Sequence, residues 1–227
     1  MPAVGTDVDV GDPLGGVAEE AHDVIVGVAL QSAHGEVDGS HDAVVGVGLE
    51  HIVQLIGAAV VVEEEVVHAD GQVVTQILAI VLHIDQKFPD AQFLPTSPLA
   101  RAKAIETLAW MNNTVHPTFT HIFMPQKFSD LADVQANLKA FNTQTYKGLL
   151  SELESFVSAK APSAWLSGDQ LGPLDAYALT LTRWGSIAGI NPSTYALLWA
   201  HVQRVATDQA VSVVIERERL QLNLFKG

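Results

Sequence analysis

No lysine or arginine occurs before Lys87, although fifteen aspartates and glutamates do, so residues 1–86 carry a formal charge of −15. Residues 87–227 hold all twelve cations against eleven acids and sum to +1. The fifteen aromatic residues mark the same boundary, since every Phe, Tyr and Trp lies after Gln86. Aromatic side chains bury the most area in a core, and uncompensated acid adds self-repulsion to a compact state. The two regions therefore have different means of folding. The first 70 residues are mainly Val, Gly, Ala, Asp, Glu and His. Segments Val24–Leu30 and Val60–Val62 with Val66–Val67 have the β-branched content of strands. Gly15–Gly16, Gly35, Gly39 and Gly57 punctuate them as turns would. This predicts an atypical, weakly specified set of strands and turns.

From Thr75 the apolar period changes to that of a helix. Ile77, Leu78, Val81, Leu82 and Ile84 make one face of a segment that ends near Pro89. Ser97–Pro98 reads as an N-cap with proline at the first helical position. It opens a long helix with Ile105, Leu108, Ala109, Val115, Phe119, Ile122 and Phe123 on its apolar side. Pro117 lacks an amide hydrogen and should kink or break that helix. A second long helix carries Leu131, Val134, Leu138, Phe141, Leu149, Leu153, Phe156 and Val157, mostly three or four apart. Gly172–Pro173 starts another, with Leu174, Tyr177, Ala178, Leu181 and Trp184. Asn191–Pro192 starts a further one, with Tyr195, Leu198, Trp199 and Val202 facing inward, and a last helix spans about Gln209 to Leu220. Five or six helices joined by short connections predict an all-α bundle.

Several functions are disfavoured by the same residues. A net charge of −14 is the opposite of the basic footprint that nucleic acid needs. The chain has no cysteine, and so no disulfide, thiolate metal site or cysteine nucleophile. Its longest apolar runs, Val24–Leu30 and Leu55–Val62, fall far short of the roughly 20 residues that span a bilayer. No basic segment followed by an apolar one opens the chain, which predicts a cytoplasmic protein. His34, Glu36, Asp38, His41 and Asp42 have no spacing that converges them on a metal and read as a solvated acidic loop. Gly46-Val47-Gly48 lacks the third glycine of a dinucleotide fingerprint.

Three stretches resemble bacterial β-class-like glutathione S-transferases, in that family's order, over about residues 71–220. Gly71–Pro95 is similar to the junction where the thioredoxin-like domain ends in its third helix and linker. Leu108–Phe123 is similar to the first long helix of the second domain, with an Asn-x-x-x-His-x-x-Phe pattern at Asn112, His116 and Phe119. Trp165–Ile190 is similar to the family's Gly-Asp, Ala-Asp-Ala-Tyr and Arg-Trp region. The resemblance implies a two-domain plan. An α/β thioredoxin-like region over residues 1–90 would precede an all-α helical domain over 97–227.

It also implies roles. His116 would stand near the glutathione sulfur as the catalytic side chain, where proton handling suits an imidazole. Trp110, Asn112, Phe119 and Trp184 would line the pocket for a small electrophile. Thr75 and Gln76 would hold the γ-glutamyl end of glutathione, although Ile77 occupies the place where the family's hydroxyl or amide normally follows. Asp175 would be a structural cap, its carboxylate at a helix start where the dipole favours it. The Ser or Thr usual three residues earlier is Gly172. Glutathione would be a co-substrate rather than a permanently bound cofactor, no metal is implied, and the partner would be a second copy of the chain in a homodimer. No membrane or nucleic-acid partner is expected.

The front region departs from this plan. The family activates the thiol, because the thiolate is the attacking species, with a Tyr, Ser or Cys near the end of its first strand. Residues 1–70 contain neither Tyr nor Cys, and Thr6 is the one hydroxyl in the first 31 residues. The family's cis-proline step has no counterpart, since no proline lies between Pro13 and Pro89. Glutathione is a net anion, and each close like-charge pair opposes it by about 1 kcal/mol through water. These departures predict weak glutathione binding and admit a second reading, a non-catalytic relative that dimerises or binds apolar ligands.

Overall fold

The structure is a computed structural model and describes residues 66–67, 73–74, 76–161 and 163–226. Two short strands, β1 (Val66–Val67) and β2 (Val73–Val74), pair antiparallel with Val66 opposite Val74 and Val67 opposite Val73. Val66–Val67 had been expected as strand from its β-branched content; Val73–Val74 had not. Helix α1 (Ile77–Lys87) follows. Its Ile80 and Ile84 join Ala91 and Phe93 in a small core of their own, while Val81 faces the main core. A 3-10 turn at Pro89–Ala91 ends this part.

The helical part opens with α2 (Pro98–Trp110), a π-helical turn (Met111–Val115) and α3 (His116–Phe123). These three form one unbroken helical run in which Pro117 neither breaks nor terminates the helix. The reason lies one turn earlier. The His116 N–H reaches back to the Met111 carbonyl, an i→i+5 bond that widens the turn before the proline. The wider turn makes room for a ring that would otherwise meet the carbonyl four residues back. Leu108, Met111, Val115, Phe119 and Ile122 are buried along this run.

Helix α4 (Ala132–Ser158) packs along α3, and Tyr146, Leu149, Leu150 and Leu153 are its buried anchors. The expected apolar stripe holds only in its second half. Leu131, Val134 and Phe141 are exposed, Phe141 at 72%.

Helix α5 (Pro173–Ile187) is central: twelve of its fifteen residues are buried, and α2, α3, α4 and α6 pack on it. A helix surrounded on most sides loses the usual one-sided pattern. A Cβ added at Gly185 would sit 2.8 Å from the Leu150 side chain and 3.4 Å from the Tyr146 ring, so this glycine sets how closely α5 meets α4. Asn191–Pro192 opens a 3-10 turn, Pro192–Thr194, before α6 (Ala196–Ala206), which buries Leu198, His201, Val202 and Val205. Asp208 caps α7 (Gln209–Arg217) by accepting from the Ala210 and Val211 amides.

Asp175 occupies the start of α5 with no exposed surface. Its Oδ1 accepts from Leu166 N–H at 2.7 Å, and its Oδ2 accepts from Ser167 and Gly172 N–H at 3.1 Å each. His201 Nε2 of α6 lies 3.0 Å from Oδ1. The hydroxyl that Gly172 lacks is supplied from outside the helix: Leu174 N–H donates to Ser167 Oγ at 3.1 Å. Gly172 is extended at φ −154, so glycine is not demanded by the backbone there. It is demanded by space, because a Cβ would lie 2.7 Å from Ser167 Cβ and Oγ and 2.8 Å from the Phe93 carbonyl oxygen. Beyond His201, Arg204 reaches the Ala164 carbonyl and stacks 3.8 Å above the Trp165 ring.

Candidate functional site

The π turn delivers Asn112 and His116 to α5. His116 Nδ1 lies 2.8 Å from Tyr177 Oη, and the same hydroxyl donates toward Asn112 Oδ1 at 3.5 Å. Asn112 Nδ2 donates to Asn113 Oδ1 at 3.0 Å, which turns its carbonyl oxygen toward Tyr177. π turns inside α-helices recur at functional sites because the extra residue re-aims side chains; here the re-aimed side chains are an amide and an imidazole.

Trp184 lies two turns beyond Tyr177 on the same face of α5. Its ring meets His116 at 4.8 Å and 74°, a T-shaped contact, and stacks on Phe119 at 4.8 Å and 15°. Phe119 is enclosed further by Phe123 at 5.5 Å and Tyr146 at 5.9 Å. Only 6% of Phe119 is exposed, whereas Asn112, His116 and Trp184 are half-buried. Phe119 thus lies under Trp184, and the part-exposed surface of this cluster belongs to Trp184 and His116. Trp110 sits apart from this group, edge-on to Phe156 of α4 at 5.0 Å.

Burial sets the character of the two phenols. Tyr177 has no exposed surface, and burial pushes its hydroxyl far above the usual phenol range. Tyr146, likewise enclosed, is raised by burial first and by Tyr177 second, and it donates to the Leu181 carbonyl at 2.8 Å. Both are neutral hydrogen-bonding groups rather than phenolate nucleophiles. Tyr177 carried no functional expectation from the sequence. Its place seven residues before Trp184 on one helix was the available signal.

Gln76 precedes α1 with φ 74 and ψ 122, exposed, its carbonyl accepting from Ile80 N–H at 3.0 Å. A non-glycine residue held at positive φ costs of order 1–3 kcal/mol and clusters at ligand sites. Thr75 lies outside the described residues, as do Thr6 and the acidic cluster at 34–42. Among the described residues, no group of three or more His, Asp or Glu is placed to hold a metal, and no helix is long and apolar enough to cross a membrane. A surface pocket of about 410 Å³ lies between α1 and α2, where Asp85 pairs with Arg101 at 2.6 Å and accepts from Leu94 N–H at 3.0 Å.

No protein-family model matches the chain. It is 27% identical over 154 residues to glutathione S-transferase GstA of Escherichia coli O157:H7, an overlap of 67% of this chain and 71% of that protein. It is 27% identical over 122 residues to glutathione S-transferase GST-4.5 of Xanthomonas campestris pv. campestris, 53% of this chain and 58% of that protein, under two thirds of the relative. Among solved structures, a glutathione transferase homolog from Sulfitobacter with bound glutathione matches with a TM-score of 0.62 and 18% identity, covering 69% of this chain and 74% of that one. The chain therefore resembles bacterial glutathione S-transferases over part of its length. Its described helical domain has their fold.

Proposed function

We propose that this chain is a glutathione S-transferase-like protein that joins the sulfur of glutathione to a small electrophile. The observation that carries the reading is the half-buried His116, fixed by Tyr177 and Trp184 at the edge of an aromatic floor, in a chain similar to glutathione S-transferases. In this reading the thiol proton passes to His116, a sulfur–carbon bond forms, and the leaving group departs with its electron pair. Trp184 and Asn112 contact the electrophile, Phe119 supports them from below, and Trp110 borders the pocket from α2. Thr75 and the strained Gln76 hold the γ-glutamyl end. The exposed apolar side chains of Leu131, Val134 and Phe141 suit a homodimer contact.

A second reading, a non-catalytic relative used for dimerisation or apolar ligand binding, is favoured by one observation: residues 1–70 hold no Tyr or Cys to activate a thiol. Calorimetric titration of glutathione into the purified chain, with a chromogenic aryl halide assay beside it, separates the two. Saturable binding with conjugation that drops on the order of 100-fold in kcat/KM for His116→Ala, at unchanged thermal stability, supports the first. Absence of both binding and conjugation refutes it and leaves the second.

A further inference from the structure

Among the described residues two carboxylates are buried, Asp175 and Asp85. A carboxylate leaves water only where donors replace it. The amides that serve Asp175 lie around the start of its own helix, whereas those that serve Asp85 come from two other elements. Asp85 stands near the end of α1. Its Oδ1 accepts Leu94 N–H, from the connection between α1 and α2, at 3.0 Å, and its Oδ2 pairs with Arg101 of α2 at 2.6 Å. One side chain thus ties α1 to the connection and to the first helix of the bundle.

The residues around this tie sort into two cores. Phe93 joins the small core of Ile80, Ile84 and Ala91, while its neighbour Leu94 joins the main core with Val81. The bond from Leu94 N–H to Asp85 falls where the chain passes from one core to the other. The same connection also meets the loop that Asp175 organises. A Cβ at Gly172 would stand 2.8 Å from the Phe93 carbonyl oxygen, and one at Gly168 would stand 3.3 Å from Pro95 Cγ. At the other end of α1, Ile77 and Leu78 pack against the main core.

We infer that Asp85 is a clasp that makes α1 part of the helical domain's cooperative folding unit, with Asp85 and Arg101 as positioning residues for the strained Gln76 at the head of α1. For folding, the domain boundary then falls before α1 and not in the connection near residues 90–97. Separating either partner leaves a charge without its counterpart in a largely dry setting. Elements held by few such ties open locally before the rest of a protein does. The bearing of Gln76 on glutathione rests on the function proposed above; the clasp does not.

Native-state amide exchange of the full-length protein reads this residue by residue. Ile80 N–H, bonded to the Gln76 carbonyl at 3.0 Å, reports the head of α1, and Ile84 and Leu94 report the clasp. In the wild type these amides should be protected to within about tenfold of Leu150 in α4 and Leu181 in α5, as members of one cooperative unit. Asp85→Asn keeps the shape and removes the charge. It should speed exchange at Ile80, Ile84 and Leu94 on the order of 10- to 100-fold, and at Leu150 and Leu181 by less than about threefold. If Asp85→Asn does not fold, Arg101→Gln breaks the same pair from its part-exposed end and carries the same expectation. A wider protection gap in the wild type overturns the inference. So do variants in which α1 is unmoved, or in which α1 and the bundle speed up equally, which would make Asp85 a general stability contact. The measurement uses no glutathione, so failure of the proposed activity would be seen separately in the aryl halide assay.

Discussion

Replacing Asp175 by Asn changes one atom and the charge in a site with no exposed surface. Three backbone amides donate to the carboxylate, those of Leu166, Ser167 and Gly172, and His201 Nε2 lies 3.0 Å from Oδ1 without completing a hydrogen bond. An asparagine has only one acceptor oxygen to offer. Turned with nitrogen toward Ser167 and Gly172, it orphans two backbone N–H groups; turned the other way, it orphans Leu166 N–H and faces His201. The second orientation is the cheaper. It costs about 1–3 kcal/mol for the orphaned amide, and the two surviving hydrogen bonds lose the strength that an ionised acceptor gave them. Against this stands the relief of no longer burying a charge, which favours the variant. Because the carboxylate has three backbone amides to compensate it, the loss should prevail by about 3 kcal/mol. For a chain of this size that lowers Tm by roughly 6–12 °C. Urea unfolding of the full-length variant, followed by circular dichroism with the m-value checked, measures it directly. A loss below about 1 kcal/mol would show that desolvation had cancelled the hydrogen bonds and that the reasoning was wrong.

Gly172→Ala should destabilise by about 1–3 kcal/mol through overpacking, and adding Ser167→Gly should recover only part, because the Phe93 carbonyl stays 2.8 Å from the new Cβ and Leu174 N–H loses its Ser167 Oγ acceptor; full recovery in thermal melts would contradict both contributions. Stability should fall above about pH 10. Burial raises Tyr146 and Tyr177, and burial with the nearby Glu154 carboxylate raises Tyr195, above the ordinary phenol value of 10.0. The folded chain thus keeps phenol protons that the unfolded chain releases first, and their contribution is whole below that value and lost as pH climbs past it. Urea midpoints that stay level up to about pH 11 would contradict this.

The helical domain was legible in the sequence because its apolar residues recur with helical spacing and its starts are marked by proline. Ser97–Pro98 and Gly172–Pro173 open α2 and α5 where expected. The buried positions of α4 were half misread. Periodicity names Leu131, Val134 and Phe141 as readily as Leu149 and Leu153, and spacing alone does not say where a neighbouring helix stops. Tyr146 and Ile80 were missed although helical spacing puts them on the buried face, Ile80 between Ile77 and Ile84 and Tyr146 three residues before Leu149. Of the site, Asn112, His116, Phe119 and Trp184 were visible as a spaced pattern. Their link through Tyr177 was not, because it runs between residues 61 and 65 positions apart.

The π turn at Met111–Val115 holds one residue more than a regular helix would need there. That extra residue is what keeps α3 in register: an ordinary α-helix holding all of these residues would turn everything after the π turn by about 100° relative to Leu108, and His116 would point away from Tyr177 and Trp184. A one-residue deletion between positions 111 and 115 would close the run into ordinary α-helix and leave His116 facing α5. In descendants of this chain, therefore, the histidine's place survives the loss of one residue in this turn, whereas a change that straightens the turn at constant length displaces the histidine without any substitution at the histidine itself.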